Sequence, residues 1–435
     1  MTTPSLTTTR LLRAPRLFCA DDSAPTTHVE HLRRHGPLPA VVGEHGRAAM
    51  LTTIEHSGLV GRGGAGFPLA RKMRAVAAGA STGSPVVVAN GCEGEPASRK
   101  DVWLLTRTPH LVLDGVELAA RVVGAREAHL CVHRGSAGAG TVRRALVERG
   151  KTEGFSITVH ELPPRYVASE ETALVHWLNG AEAKPTFTPP RPFERGVGRR
   201  ATLVNNVETL AQLALVARRG AEWFRSVGDP TEPGTLLLSV SGPPQVSQVV
   251  EVPTGTTVGA ALAQVGVDLE ASTGVLVGGY FGTWLRPDVA ASAPLTHRGM
   301  HAAGAALGAG VVAALPATVC GVVETARVAT YLAAQSAGQC GPCVNGLPAI
   351  ADALRLLARG PWDESLAPAL DRWLSIVPGR GACRLPDGAA RFVVSGLTTF
   401  AADVADHRAD RPCASSRAGA WLPLPPVQSR SAGWR

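Results

Sequence analysis

Apolar positions along the chain follow two rhythms. From about residue 41, short unbroken apolar runs alternate with stretches in which apolar residues recur every three or four positions. The runs PVVVAN (85–90), EAHLCV (127–132) and FSITVHEL (155–162) predict buried strands. The stretches 44–56, 67–78, 110–124 and 136–149 predict helices between them. Strands separated by helices imply a parallel sheet of the α/β class. A proline-rich loop (184–193) and a further helix near 206–226 complete this first unit, 41–228.

The rhythm changes at about residue 229. TLLLSVSG (235–242), QVVEVP (248–253) and VLVGGY (275–280) predict strands around a helical TVGAALAQVG, the pattern of a small β-grasp-like α+β unit spanning 229–317. From 318 to 410 the pattern is helical, with helices expected at 319–336, 344–358, 364–376 and 387–406. Residues 1–40 and 411–435 are expected to be tails. The second carries four arginines and no acid around PLPPV, so no fixed structure is expected there.

Composition narrows the class. With 45% hydrophobic and 18% charged residues, the chain is neither disordered nor a coiled coil. The net charge of +8 rests almost entirely on arginine, because Lys72, Lys100, Lys151 and Lys184 are the only lysines. Such a charge suits an acidic protein partner. No helix–turn–helix, finger or RNA-binding signature accompanies it, so a nucleic-acid partner is not expected. The N-terminal stretch lacks the apolar core of a signal peptide. The apolar run Ala302–Val323 is mostly Ala and Gly and contains Pro316, which reads as buried backbone rather than a membrane span. A soluble, cytoplasmic protein is expected, with any membrane association running through a partner complex. Eight cysteines are too few for a disulfide scaffold, and Cys340 and Cys343 form a C-x-x-C that points to metal or redox chemistry.

Three polar segments carry candidate chemistry. GRGGAGF (61–67) satisfies G-x-G-x-x-G through Gly61, Gly63 and Gly66, yet a helical stretch precedes it and Ser81 stands where an acid would follow. The ordinary dinucleotide reading therefore fails its context. What survives is a loop whose bare backbone can approach a phosphate at a helix start, with Lys72 one to two turns on. Alone, the loop also admits a lesser reading, as a tight structural turn. NGCEGEPASRKD (90–101) follows a strand and crowds Glu93 and Glu95 into one loop, where ligand sites of α/β sheets form. Glu170 and Glu171 open one helix, and Asn205 and Asn206 another; singly, each pair reads as a helix cap.

Taken in order, GRGGAGFP, N-x-x-E-G-E-P, Y-x-x-x-EETAL, VNNVET and a late G-Q-C-x-P-C with a distant cysteine form a specific set. From about residue 45 to 405 the chain resembles the flavin-carrying, NADH-oxidising subunit of respiratory complex I and its relatives in NAD-reducing hydrogenases and formate dehydrogenases. The resemblance implies an α/β FMN-binding domain, a β-grasp domain of the soluble-ligand-binding type and a helical domain holding a [4Fe–4S] cluster. It places Gly61, Arg62, Gly63, Gly64, Gly66 and Lys72 around the FMN phosphate and ribityl chain. It lines the flavin pocket with Asn90, Cys92, Glu93, Tyr166, Glu170, Glu171, Asn205 and Asn206, and stacks Phe67 on the nucleotide. Glu95 is the implied catalytic residue, beside the flavin face where the nicotinamide lands.

Three positions depart from that family. Ala337 stands at the first position of its C-x-x-C-x-x-C motif, leaving Cys340, Cys343 and Cys383 as cluster ligands. A cluster is still expected, as a [4Fe–4S] core with an exogenous or unusual fourth ligand or as a [3Fe–4S] core. Cys92 replaces a carboxylate, and loss of that charge should make the flavin easier to reduce. Arg191, in PPRPF, replaces an aromatic that would stack on adenine; an arginine can also bind a 2′-phosphate, so NADPH joins NADH as a candidate substrate. The function implied is a diaphorase passing electrons from NADH through FMN and the cluster to a ferredoxin-like or other iron–sulfur protein. Its alternatives are the reverse flow, from ferredoxin to NAD(P), and a non-catalytic electron relay or scaffold that has lost nicotinamide chemistry.

Overall fold

Strands β1 (Val86–Gly91), β2 (Glu127–His133), β3 (Ser156–Leu162) and β4 (Thr202–Asn206) form one all-parallel sheet in the order β3-β2-β1-β4. This is a computed structural model, and it describes residues 15–18, 24–79, 83–150, 153–411, 413–417, 419–426 and 433–435. The valine run of β1 is apolar throughout because both its faces are covered. Val87 and Ala89 pack under the helices Pro109–Val123 and Val207–Arg225, while Val86 and Val88 meet Leu174 and Val175 of the helix Glu171–Leu178. Those first two helices cross so closely that a Cβ on Gly115 would lie 1.9 Å from the Leu210 carbonyl oxygen.

The fourth strand corrects the expectation from sequence, in which Asn205 and Asn206 only open a helix. Thr202–Asn206 pairs with β1, and Asn206 then caps the next helix by accepting from the Glu208 N–H at 2.9 Å. Only two apolar residues precede the asparagines, too few to read as a strand.

In the second unit β5 (Thr235–Gly242), β6 (Val246–Pro253), β7 (Ser272–Val277), β8 (Thr283–Leu285) and β9 (Val311–Pro316) form a mixed sheet in the order β6-β5-β9-β7-β8. β5 and β9 run parallel at its centre, the other pairs antiparallel, and the helix Val258–Gln264 crosses between β6 and β7. This is the β-grasp arrangement. β9 emerges from the Ala- and Gly-rich run, and its small residues suit a strand covered on both sides. Val312 and Ala314 face the core of this unit, whereas Val311, Ala313 and Leu315 face the helices that follow.

The third unit comprises the helices Gly321–Ala334, Leu347–Arg359, Leu366–Ile376, Leu385–Thr399 and Ala401–Arg408. The single helix expected over 387–406 is two, broken at Phe400, whose backbone leaves helical geometry (φ −103°, ψ 33°). Its ring packs so tightly on Gly321 that a Cβ there would lie 2.3 Å away.

Both ends also depart from expectation, because their described parts are docked. Leu17 and Phe18 are buried, and the Glu251 carboxylate accepts from the Leu17 N–H at 2.9 Å. At the other end Glu324 accepts from the Leu422 N–H at 3.0 Å, and buried Trp434 accepts from the Ala183 N–H at 2.9 Å. Large apolar side chains among the arginines supply these anchors. Within these segments residues 1–14, 19–23, 412, 418 and 427–432, Cys19 among them, lie outside the described residues.

Candidate functional site

The three units meet at a cleft of about 440 Å³, at the C-terminal ends of β1 and β4. That end of a parallel sheet is where connecting loops diverge and helix N-termini converge on a ligand. The α/β unit contributes Arg62, Gly63, Gly64, Asn90, Cys92, Glu93, Glu95, Tyr166, Glu170 and Asn206. The β-grasp unit adds Gly278, Phe281 and Gly308, and the helical unit adds Cys383, Arg384 and Arg391.

Glu95 is 7% exposed and is held by groups from two units. Its Oε2 accepts from the Tyr166 hydroxyl at 2.9 Å and from the Tyr280 N–H at 2.7 Å, while Oε1 accepts from the Ala97 N–H at 3.2 Å. Burial raises its pKa to about 7, although these donors pull the other way. Glu93 accepts from the Asp101 and Val102 N–H groups, each at 3.1 Å, at the start of the helix Lys100–Arg107. Burial first, then the nearby Asp101, brings it to about 7 as well. Two carboxyls poised near neutrality on one loop can hold or release protons at the pH of the cell.

Lys100 is buried between Asp101 (2.8 Å) and Glu208 (2.9 Å). Burial alone would lower its pKa, but the two carboxylates outweigh that and raise it. Asn206 joins the group by donating to Asp101 at 2.7 Å. Asn90 donates to the Ser169 carbonyl at 2.8 Å, tying β1 to the turn before Glu170. Glu170 caps its helix, accepting from the Thr172 N–H at 2.9 Å and the Ala173 N–H at 3.1 Å. Burial pushes the Cys92 thiol well above its ordinary range, so a neutral sulfur stands in the cleft wall.

Other expected residues stand away from the cleft wall. Lys72 reaches back to the Val204 carbonyl at 2.6 Å and to Glu171 at 3.4 Å, bracing β4 from behind. Gly61 and Gly66 shape the loop, and a Cβ on Gly66 would lie 2.3 Å from the His297 ring. Phe67 is 46% exposed, with the Arg71 guanidinium 5.6 Å from its ring centre. Arg191 is exposed, its backbone N–H bonded to Glu194 at 2.8 Å. Asn205 is buried beneath the site, and its amide nitrogen has no partner among the described residues.

The walls from the other units leave no trace in the local sequence. Gly278, Phe281, Gly308 and Arg391 carry no motif, and only the folded chain brings them to the loops. A positive charge at Lys100 had a signal in the scarcity of lysine.

Ala337, Cys340 and Cys383 are partly buried beside the helical core, and Cys343 is buried within it. Burial raises the Cys343 thiol to about 12; a hydrogen bond with Ser336 lowers it, and the Cys340 and Cys383 sulfurs raise it further. The three sulfurs lie near enough to act on one another electrostatically, and Cys383 also lines the cleft. None of the described helices is long and apolar enough to cross a membrane.

The protein-family model described as the Nuo51 FMN-binding domain matches residues 54–215. A second, the NADH-ubiquinone oxidoreductase-F iron-sulfur binding region, matches 324–407. The F subunit of the Streptomyces coelicolor NADH-quinone oxidoreductase is 31% identical, over 84% of this chain and 84% of that protein. Its Escherichia coli namesake is 30% identical, over 81% and 82%. Among solved structures, the air-oxidized NAD+-reducing [NiFe]-hydrogenase matches with a TM-score of 0.82 at 28% identity, covering 99% of this chain and 71% of that one. Its H2-reduced state matches with a TM-score of 0.78, also at 28% identity, over 88% and 67%. The chain belongs to the family of the NADH-quinone oxidoreductase F subunits, with an FMN-binding domain and an iron–sulfur region.

Proposed function

We propose that this chain is the NADH-oxidising component of a multi-subunit oxidoreductase, sending electrons through FMN and an iron–sulfur centre to a protein acceptor. The observation that supports it best is one cleft bounded by the glycine loop and Glu95 on one side and by Cys383 on the other.

The residues present fit a flavin nucleotide. The cleft volume falls in the range of about 300–1,000 Å³ usual for small-molecule sites. Its walls are bare backbone at Gly63, Gly64 and Gly308. The buried Asn205 amide and the Arg62 Nε lack partners among the described residues, which leaves hydrogen-bonding capacity for a ligand. In this reading Gly61, Arg62, Gly63, Gly64 and Gly66 cradle the phosphate and ribityl chain, with Lys72 and Glu171 bracing β4. Asn90, Cys92, Glu93, Tyr166, Glu170, Asn205 and Asn206 surround the ring, and Phe67 and Arg191, both exposed outside the cleft wall, would meet the nucleotide. FMN when bound takes a hydride from the nicotinamide and releases electrons one at a time.

The chain's own part is positioning and charge. Tyr166 and Tyr280 fix the Glu95 carboxyl, and its raised pKa lets Oε1 or Oε2 hold a proton beside the reacting rings. Arg384 and Arg391 line the cleft and are exposed, and in this reading they would receive the diphosphate of the dinucleotide. Cys340, Cys343 and Cys383 hold the iron–sulfur centre, with Ala337 leaving its fourth position to another donor. The net charge of +8 suits an acidic iron–sulfur partner such as a ferredoxin.

An anaerobic absorbance spectrum before and after NADH tests this reading. Flavin bands that bleach on addition, with iron and sulfide in the same preparation, are the expected result. A yellow protein bleached by neither NADH nor NADPH overturns it in favour of a relay or scaffold. Turnover with each cofactor against an artificial acceptor decides between NADH and NADPH.

A further inference from the structure

We infer that Cys320, His407 and Cys413 hold a zinc ion that fastens the C-terminal segment to the helical unit. Their ligand atoms all lie within 4.8 Å of one another. The Cys320 sulfur stands 3.4 Å from His407 Nε2. A tetrahedral zinc with ordinary bonds to sulfur and nitrogen separates such a pair by about 3.5 Å, so the spacing suits one ion.

His407 is oriented for ligation. Its Nδ1 lies 3.1 Å from the Leu357 carbonyl oxygen. A carbonyl only accepts, so Nδ1 carries the hydrogen and Nε2 turns its lone pair to the sulfurs. A backbone carbonyl on the far nitrogen is the usual support of a metal-bound histidine. Cys320 and His407 are 1% and 3% exposed, so this donor set is buried apart from Cys413. Two thiolates, one neutral imidazole and a solvent molecule make a four-coordinate site whose charge the divalent ion cancels. Binding releases two thiol protons, and no electron moves.

This group is separate from the proposed cluster cysteines. Cys320 caps the start of the helix Gly321–Ala334, whereas Cys340 and Cys343 follow its end, so about 20 Å of helix lies between them. Its consequence is structural. Cys413 begins the segment in which Ser415 donates to the Ala317 carbonyl at 3.1 Å, the Leu422 N–H donates to Glu324 at 3.0 Å, and the Pro423 carbonyl accepts from the Tyr280 hydroxyl at 2.6 Å. The ion would pin that segment where it leaves the last helix.

Zinc and iron contents of the full chain, purified with zinc sulfate and without chelator, test the assignment. About one zinc per chain is expected, falling at least about five-fold in both Cys413→Ser and His407→Gln while iron and flavin stay unchanged. X-ray absorption at the zinc edge should show two sulfur ligands. Zinc absent from the unaltered chain, zinc retained by both variants, or a Cys320–Cys413 disulfide found by alkylation and mass spectrometry would overturn it.

Discussion

The Tyr280 backbone N–H, in the β-grasp unit, donates to the Glu95 carboxylate of the α/β unit at 2.7 Å, across 185 positions of sequence. One side chain thus depends on two units for its place and its proton. Its pKa, about 7 against an ordinary 4.5, makes the fold favour the protonated form. Stability from this group is fully present below pH 4.5 and is lost as pH rises through 7. Relative to Glu95→Gln, the flavin-free chain should lose up to roughly 3 kcal/mol between pH 4.5 and 8. Thermal midpoints of both proteins across that range check this; parallel curves would show that Glu95 does not titrate there.

Gly279 precedes Tyr280 with a φ of +88°, and a Cβ there would lie 2.5 Å from Glu95 Oε2. Gly279→Ala meets both backbone strain and that contact, and should cost about 1–3 kcal/mol. Flavin content after purification should fall with it, whereas Gly180→Ala, at similar φ but with nothing within 4 Å, should keep its flavin.

Lys100→Met leaves Asp101 and Glu208 buried without their cation. Removing one partner of a buried ion group costs about 3–5 kcal/mol. The Glu208 carboxylate also accepts from the Leu237 N–H at 2.9 Å, so the damage reaches the β-grasp unit. Denaturant midpoints should show a large loss, partly recovered in Lys100→Met with Glu208→Gln.

Ala337→Cys should raise the iron and sulfide retained after brief exposure to air, because four thiolates hold a [4Fe–4S] cluster more firmly than three. Cys383→Ser should lower both. Equal contents in the unaltered chain and Ala337→Cys would mean that a different donor already completes the site.

How far the sequence carries the fold depends on where each element's neighbours lie. β1 is legible because three valines, buried on both faces, leave no other reading. β9 is not, since alanines and glycines show a strand only once the helical unit covers one face and the β-grasp core the other. The same holds at the cleft. Asn90, Glu93 and Glu95 sit in one loop after one strand, so their meeting follows from local sequence. Phe281 and Arg391 arrive from units whose docking no local pattern records. Arg191 and Phe67 show the converse, for a place within a motif does not say which way a side chain turns.

A cleft with walls from three units behaves as a logic gate, closed only when all three inputs are folded and docked. Flavin released from the chain would therefore report damage at sites that never touch it, from the β-grasp turn at Gly279 to the helix behind Arg391. Colour retained through a gel-filtration column becomes an assay for the integrity of the whole polypeptide.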